Sequence, residues 1–205
     1  MSKPKLDGES RISQYLESLG LKTERYSKSE RRASRTPDFK VYSEDSLAFY
    51  CEVKTAQEDT WLNSLLEQAE PGTLVGGTRN DSTYNRIASY VHESVGQFDA
   101  VNPTMELPNV LAIVNGDVDS GITDLIQVFT GNGYCDDGSV WPMYQEFSEG
   151  RIKESKWRIH LFMWFDEWNE DGPKLLVPES HQQHTLSLAP RLQIDLRSIH
   201  RLPFH

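Results

Sequence analysis

Sulfur, long apolar runs and net positive charge are all scarce in this sequence. Its two cysteines, Cys51 and Cys135, are too few for a disulfide framework and lack the spacing of a metal site. No apolar run approaches the length needed to cross a bilayer, and the first residues, MSKPKLDGES, lack the apolar stretch of a secretory signal. We therefore expect a cytoplasmic protein that does not enter a membrane.

The length and the composition are typical of one globular domain. A chain of 205 residues, of which 37% are hydrophobic, can bury a substantial core. The sequence has neither an internal repeat nor a clean linker. We expect a single domain over residues 1–205, with a core in 1–115 and an extension in 116–205 that completes or wraps it.

Positive charge is concentrated in one segment of an acidic chain. The net charge is −10, so the mean field of the molecule does not attract nucleic acid. The segment KTERYSKSERRASRTPDFK, residues 22–40, nevertheless contains Arg31, Arg32 and Arg35. A local basic strip is compatible with a polyanionic substrate, although composition alone favours a solvated loop. The basic part of this segment, which ends at Arg35, has no apolar periodicity and is predicted to be a loop.

Apolar periodicity predicts an alternation of helices and strands. Residues spaced three or four apart predict helices over 8–19 and 82–98, and a shorter helix near 122–131. Alternating or continuous apolar runs predict an antiparallel hairpin over 38–55, a strand covered on both faces near 109–115, and a further strand in the extension, WRIHLFMWFD.

Three charged side chains lie at adjoining ends of the predicted hairpin. Asp38 begins its first strand, and Glu52 and Lys54 follow the apolar run of its second. Side chains two residues apart share one side of a strand, so Glu52 and Lys54 point together while Val53 points the other way. We therefore expect Asp38 to lie beside the Glu52 and Lys54 edge.

This combination suits the hydrolysis of a phosphodiester. Two adjacent carboxylates repel each other, and a hard divalent cation neutralises them through oxygen ligands, to which the carbonyl of Val53 would add one. Lys54 would then orient or help to deprotonate a water and stabilise charge on phosphate oxygens. Taken singly, each residue has a plainer explanation: a surface ion pair for Lys54 and Glu52, and a turn for Asp38.

The segments PDF (37–39) and CEVK (51–54) resemble the motif of the PD-(D/E)xK nuclease superfamily. This restriction-endonuclease-like fold includes archaeal Holliday-junction resolvases and many restriction and repair nucleases. The resemblance extends over roughly residues 1–115. It implies an α/β fold with an αβββαβ core, in which a mixed central sheet is flanked by helices. The extension would contain an additional strand.

The resemblance also implies roles for individual residues. Asp38 and Glu52 would be metal-binding acids, Lys54 the catalytic lysine, and Mg²⁺ the cofactor, with Mn²⁺ able to replace it. Such nucleases often add a glutamate from the first helix, for which Glu9 and Glu17 are the candidates. Glu9 is preferred because its spacing places it on the apolar face of the predicted helix. The alternative is a purely structural role, in which the Glu9 carboxylate stabilises the positive N-terminal end of the helix dipole.

The implied activity is that of a Mg²⁺-dependent nuclease, with DNA endonuclease activity expected. Candidate nucleic-acid contacts are Arg86 and Gln97 on the second helix, together with Arg31, Arg32 and Arg35. One alternative is a non-catalytic subunit of the same fold that binds nucleic acid or a partner protein in a larger complex. Another is a hydrolase acting on a different phosphorylated substrate. Both the active nuclease and the non-catalytic subunit could form a homodimer or bind a partner subunit that supplies specificity.

Overall fold

A computed structural model describes residues 7–57, 67–73, 82–135, 137–143, 152, 155–169, 172–178, 182–195, 197 and 199–202. The helices whose two ends both lie in described residues are α1 (Gly8–Ser18), α2 (Lys28–Ala33), α3 (Ser82–Val101), α4 (Ile122–Thr130) and α5 (Gln182–Leu188), with a 3₁₀ turn at Ser155–Arg158. The strands are β1 (Lys22–Arg25), β2 (Phe39–Ser43), β3 (Ser46–Ala56), β4 (Asn109–Asn115), β5 (Asn132–Tyr134), β6 (Val140–Pro142), β7 (Leu161–Asp166), β8 (Lys174–Pro178) and β9 (His200–Leu202).

The described strands form a mixed seven-stranded sheet in the order β1-β2-β3-β4-β7-β8-β9, and β5 pairs with β6 separately. Pairing is antiparallel from β1 through β3 and between β7 and β8. It is parallel where β4 joins β3 and β7, and between β8 and β9. The predicted α/β class with a mixed sheet flanked by helices is confirmed at this level.

Helices cover both faces of the sheet. Ile12 and Leu16 of α1 pack on one face, and Ile87 and Val91 of α3 pack on the other, where α4 also lies. Every residue of β4 is buried. This explains why the sequence of the strand is a nearly continuous apolar run and does not alternate between apolar and polar residues.

The boundaries of α1 follow from its sequence. Asp7 caps the N-terminus by accepting a hydrogen bond from the Ser10 N–H at 3.1 Å. Ile12 and Leu16, four residues apart, are completely buried. Gly20 follows the helix with a φ of 80°, a backbone conformation that favours glycine. The predicted helix over 8–19 is therefore confirmed.

The prediction of a loop before residue 36 is wrong, because helix α2 lies there. Its N-terminus is a capping box, in which the Ser27 N–H donates to Glu30 Oε2 at 2.8 Å and the Glu30 N–H donates to Ser27 Oγ at 3.3 Å. None of its residues is buried. The helix is held by local polar contacts, so it has no apolar periodicity to detect.

The extension contributes more strands than the one predicted. The run near residue 161 forms β7, as expected, and β8 and β9 extend the main sheet beyond it. These two strands span five and three residues, which is too short for a clear alternating pattern. No described helix is both long enough and apolar enough to span a bilayer.

Candidate active site

The site begins where β2 ends and β3 continues. The pairing of β2 with β3 ends at Phe39 and Cys51, so Asp38 lies one residue beyond the regular ladder. Strand β3 extends to Ala56 and remains paired with β4 over that length. The edge of β3 after Cys51 is therefore covered by Asp38 rather than by a strand.

Asp38 and Glu52, called here the carboxylate pair, are joined through the main chain. The Asp38 N–H donates to Glu52 Oε2 at 3.0 Å, and the Val53 N–H donates to Asp38 Oδ2 at 2.8 Å. The N–H and C=O of one residue in an extended strand point to the same side. The Val53 carbonyl therefore lies on the Asp38 side of β3, as the proposed ligand role requires.

Glu52 is a buried acid with an altered acidity. Its exposed fraction is 2%. Burial, and then the negative charge of Asp38, raise the pKa of Glu52 to about 8, although Lys54 and Gln97 oppose that rise. Because this carboxyl group is costly to ionise where it lies, a nearby cation would stabilise its ionised form.

Lys54 joins the carboxylate pair to helix α3. Its Nζ lies 3.1 Å from Glu52 Oε1 and 2.9 Å from Glu93 Oε2. Burial alone would lower the pKa of this ammonium, but the Glu52 and Glu93 carboxylates outweigh burial and hold it above its ordinary value. Lys54 therefore remains a cation beside the pair.

Helix α3 places further polar groups along β3. Gln97 Nε2 donates to the Thr36 carbonyl at 3.1 Å, and the Tyr90 hydroxyl donates to the Thr55 carbonyl at 3.1 Å. Glu93 lies between them on the same helix face. Sequence reasoning identified Gln97 but missed Glu93 and Tyr90, although their positions four and seven residues before Gln97 were a usable signal.

An open depression of about 520 Å³ lies between α2 and α3, and we call it the α2–α3 depression. Lys54 is one of its lining residues, and its side chain is 14% exposed. The Arg35 guanidinium lies near Gly96 of α3, with Nη1 3.7 Å from where a Cβ would stand on that glycine. The residues that line the depression are Arg31, Ser34, Arg35, Thr36, Lys54, Glu93 and Gln97. Three of the five predicted nucleic-acid contacts, Arg31, Arg35 and Gln97, thus share one cavity.

Arg86 and Arg32 lie outside that cavity. Arg86 Nη2 lies 2.7 Å from Asp117 Oδ2, and Asp117 is 1% exposed. Arg86 thus ties the start of α3 to the loop after β4, and its expected contact with a phosphate stays a prediction. Arg32 is exposed on α2, but it is not among the residues that line the depression.

Neither glutamate of α1 joins the carboxylate pair through a described contact. Glu9 is 41% exposed rather than on the buried face, and its Oε2 lies 2.9 Å from Arg25 Nη1. Glu17 accepts hydrogen bonds from Ser13 and Thr23. The role proposed for Glu9 therefore has no supporting contact in the described part of the chain.

Among the described residues, the candidate oxygen ligands for a metal are the carboxylate pair and the Val53 carbonyl. In the described segments, no group of three or more histidine, cysteine, aspartate or glutamate side chains is arranged to hold a metal ion. Two carboxylates and a carbonyl fit Mg²⁺, because this ion is commonly bound by one or two carboxylates and keeps several waters. The donor set therefore fits the implied metal, whose other ligands would be waters.

Comparisons with protein-family models, with curated proteins and with solved structures found no significant match to this chain. Its function is therefore inferred from the arrangement of its own side chains.

Proposed function

We propose that this protein is a Mg²⁺-dependent nuclease with a restriction-endonuclease-like core, which hydrolyses phosphodiester bonds and acts on DNA. The observation that carries this proposal is the carboxylate pair just beyond the last pairing of β2 with β3, with the Lys54 ammonium 3.1 Å from Glu52. The α2–α3 depression adds Arg31 and Arg35 to the same cavity as Lys54. A site that combines two acids, an ammonium and nearby guanidinium groups suits a phosphodiester substrate.

The carboxylate pair and the Val53 carbonyl would hold the cation. Bound Mg²⁺ would neutralise the two acids and polarise a phosphate oxygen; Mn²⁺ would serve in its place. The high pKa of Glu52 supports this assignment, because a buried acid beside another acid is stabilised in its charged form by a nearby cation.

The remaining residues would act directly on the substrate and on water. Lys54 would orient the attacking water and stabilise the negative charge that develops on the phosphate oxygens. Arg31 and Arg35 would bind phosphates that flank the scissile bond, since guanidinium groups match phosphate geometry. Gln97 would support Glu52 from α3, because its side chain already lies against that acid and Thr36.

A second candidate is a non-catalytic subunit that binds nucleic acid or a partner protein. It is favoured by the finding that no third acid joins the carboxylate pair among the described residues, and by the net charge of −10. Such a protein would bind an oligonucleotide in the α2–α3 depression without cleaving it. Measuring binding and cleavage on the same substrates separates the two candidates.

A cleavage assay tests the proposal. Wild-type protein with Mg²⁺ is incubated with single-stranded, duplex and branched DNA and with RNA, beside Asp38→Asn, Lys54→Met and a control, Glu106→Gln. Glu106 is an exposed acid outside the depression. We expect metal-dependent cleavage by wild type and the control, and none by the two site variants. Cleavage by Asp38→Asn at the wild-type rate would refute the proposal. So would a wild-type protein that cleaves none of the substrates with Mg²⁺.

A further inference from the structure

The ammonium of Lys54 is held from two sides, by strand β3 through Glu52 and by helix α3 through Glu93. Lys54 is 14% exposed, whereas Glu93 is 62% exposed. The helix carboxylate therefore reaches Lys54 from the solvent side of the α2–α3 depression. An ion pair with so exposed a partner adds little to folding stability, so its main effect is on where the ammonium lies.

The position of Glu93 is set by contacts on either side of it. Tyr90, three residues before, donates to the Thr55 carbonyl, and Gln97, four residues after, donates to the Thr36 carbonyl, both at 3.1 Å. These contacts fix α3 against strand β3, which carries Lys54, and against the segment just before Asp38. Glu93 is thus presented to Lys54 by an anchored helix, unlike a surface acid that meets a lysine by chance.

Glu93 also works against the binding of an anion. It shares the α2–α3 depression with Arg31 and Arg35, and a carboxylate in that cavity repels a phosphate. Substrate binding alone therefore does not account for an acid at this position. Its close contact is with Lys54, the residue proposed to act on water and phosphate.

We propose that Glu93 is a positioning residue for Lys54, holding its ammonium in one orientation beside the carboxylate pair. This inference rests on the proposed hydrolytic function. The lysine side chain has a flexible four-carbon stem, and Glu52 alone restrains its ammonium from one side. With Glu93 removed, Lys54 samples other rotamers and meets the attacking water less often.

Kinetic constants test the proposal on Glu93→Gln, Glu93→Asp and the charge control Glu106→Gln. We expect Glu93→Gln to lower kcat about tenfold, while KM stays equal or falls because a repulsive charge has been removed. Glu93→Asp keeps the charge and should remain within about threefold of the wild-type kcat. A purely structural role would change neither constant per folded molecule. A wild-type kcat in Glu93→Gln would overturn the proposal.

A spectroscopic measurement tests the same inference without cleavage. In protein labelled with ¹³C-lysine, an immobilised Lys54 shows two distinct Cε proton resonances, assigned by their loss in Lys54→Met. We expect two resonances in wild type, Glu93→Asp and Glu106→Gln, and one averaged resonance in Glu93→Gln. Two resonances in Glu93→Gln, or one in wild type, would refute the positioning role. The expected pattern in a protein that cleaves nothing would uphold it while refuting the nuclease proposal.

Discussion

Asp38 and Glu52 each use a carboxylate oxygen to accept a hydrogen bond from the backbone segment that carries the other. The Asp38 N–H donates to Glu52 Oε2 at 3.0 Å, and the Val53 N–H donates to Asp38 Oδ2 at 2.8 Å. The two acids thereby join β2 to β3 just beyond their last regular pair. Their orientation is set by backbone contacts, so the pair is organised in advance of any ligand.

Replacing Asp38 should separate its structural role from its chemical one. Asp38→Ala leaves the Val53 N–H without its acceptor, and we expect a loss of about 1–3 kcal/mol of unfolding free energy. Asp38→Asn keeps a carbonyl acceptor, so we expect a loss below about 1 kcal/mol. Both variants should lose Mg²⁺-dependent cleavage. Urea denaturation and the cleavage assay check this, and equal stability of the two variants would contradict the structural part.

The stability of the metal-free protein should depend on Glu52. Its pKa is about 8 in the folded protein, against an ordinary 4.5, so the neutral acid favours folding below about 4.5 and that contribution disappears as pH rises through 8. Glu52→Gln does not titrate. Its stability relative to wild type should therefore rise by roughly 1 kcal/mol per pH unit between these values. Urea denaturation with a chelator across pH 5–9 measures this difference, and parallel profiles would contradict it.

The parts of the fold that bury large apolar faces were predictable from the sequence. Strand β4 and helix α1 each present an unbroken apolar pattern because each is packed against the core. Helix α2 has no such pattern. Its Glu30 is held by the Ser27 cap and by Lys40, whose Nζ lies 2.7 Å away, and polar contacts of this kind have no hydrophobic period.

The same limit applies to the site. Asp38, Glu52 and Lys54 were predictable as neighbours because one hairpin and one alternation rule bring them together. The partner of Lys54, Glu93, is 39 residues away in the sequence, and that of Arg86 is 31 residues away. Such pairings depend on how α3 lies against the strands, which periodicity alone does not determine.

Arg86 should matter for stability and not for substrate binding. Its guanidinium compensates the buried Asp117 carboxylate at 2.7 Å. We expect Arg86→Ala to lower the unfolding free energy by roughly 2–4 kcal/mol, since Arg86 itself is partly exposed. Oligonucleotide affinity per folded molecule should stay at the wild-type value. Thermal denaturation measures the change in stability, and fluorescence anisotropy measures the affinity. Weak binding by a variant of wild-type stability would contradict this prediction and indicate that Arg86 contacts the nucleic acid.

Arg35 and Arg32 offer a matched comparison for nucleic-acid binding. Both are exposed arginines in or beside α2, but only Arg35 lines the α2–α3 depression. Arg35→Ala should weaken the binding of a single-stranded oligonucleotide and reduce the slope of log affinity against log salt by about 0.7. Arg32→Ala should change neither quantity. Anisotropy titrations at several salt concentrations decide this, and equal losses in both variants would indicate a diffuse electrostatic effect.

Divalent cations should stabilise the protein through the carboxylate pair. At pH 8, MgCl₂ or MnCl₂ at a hundred times its Kd should raise the unfolding free energy of wild type by about 2.7 kcal/mol, and by far less in Asp38→Asn. Protons compete for Glu52, whose pKa is about 8. Cation affinity should therefore fall by up to about tenfold per pH unit below that value. Calorimetric titration at pH 6–9 measures this trend. Equal affinity at pH 6 and pH 8, or equal stabilisation of Asp38→Asn, would place the cation elsewhere.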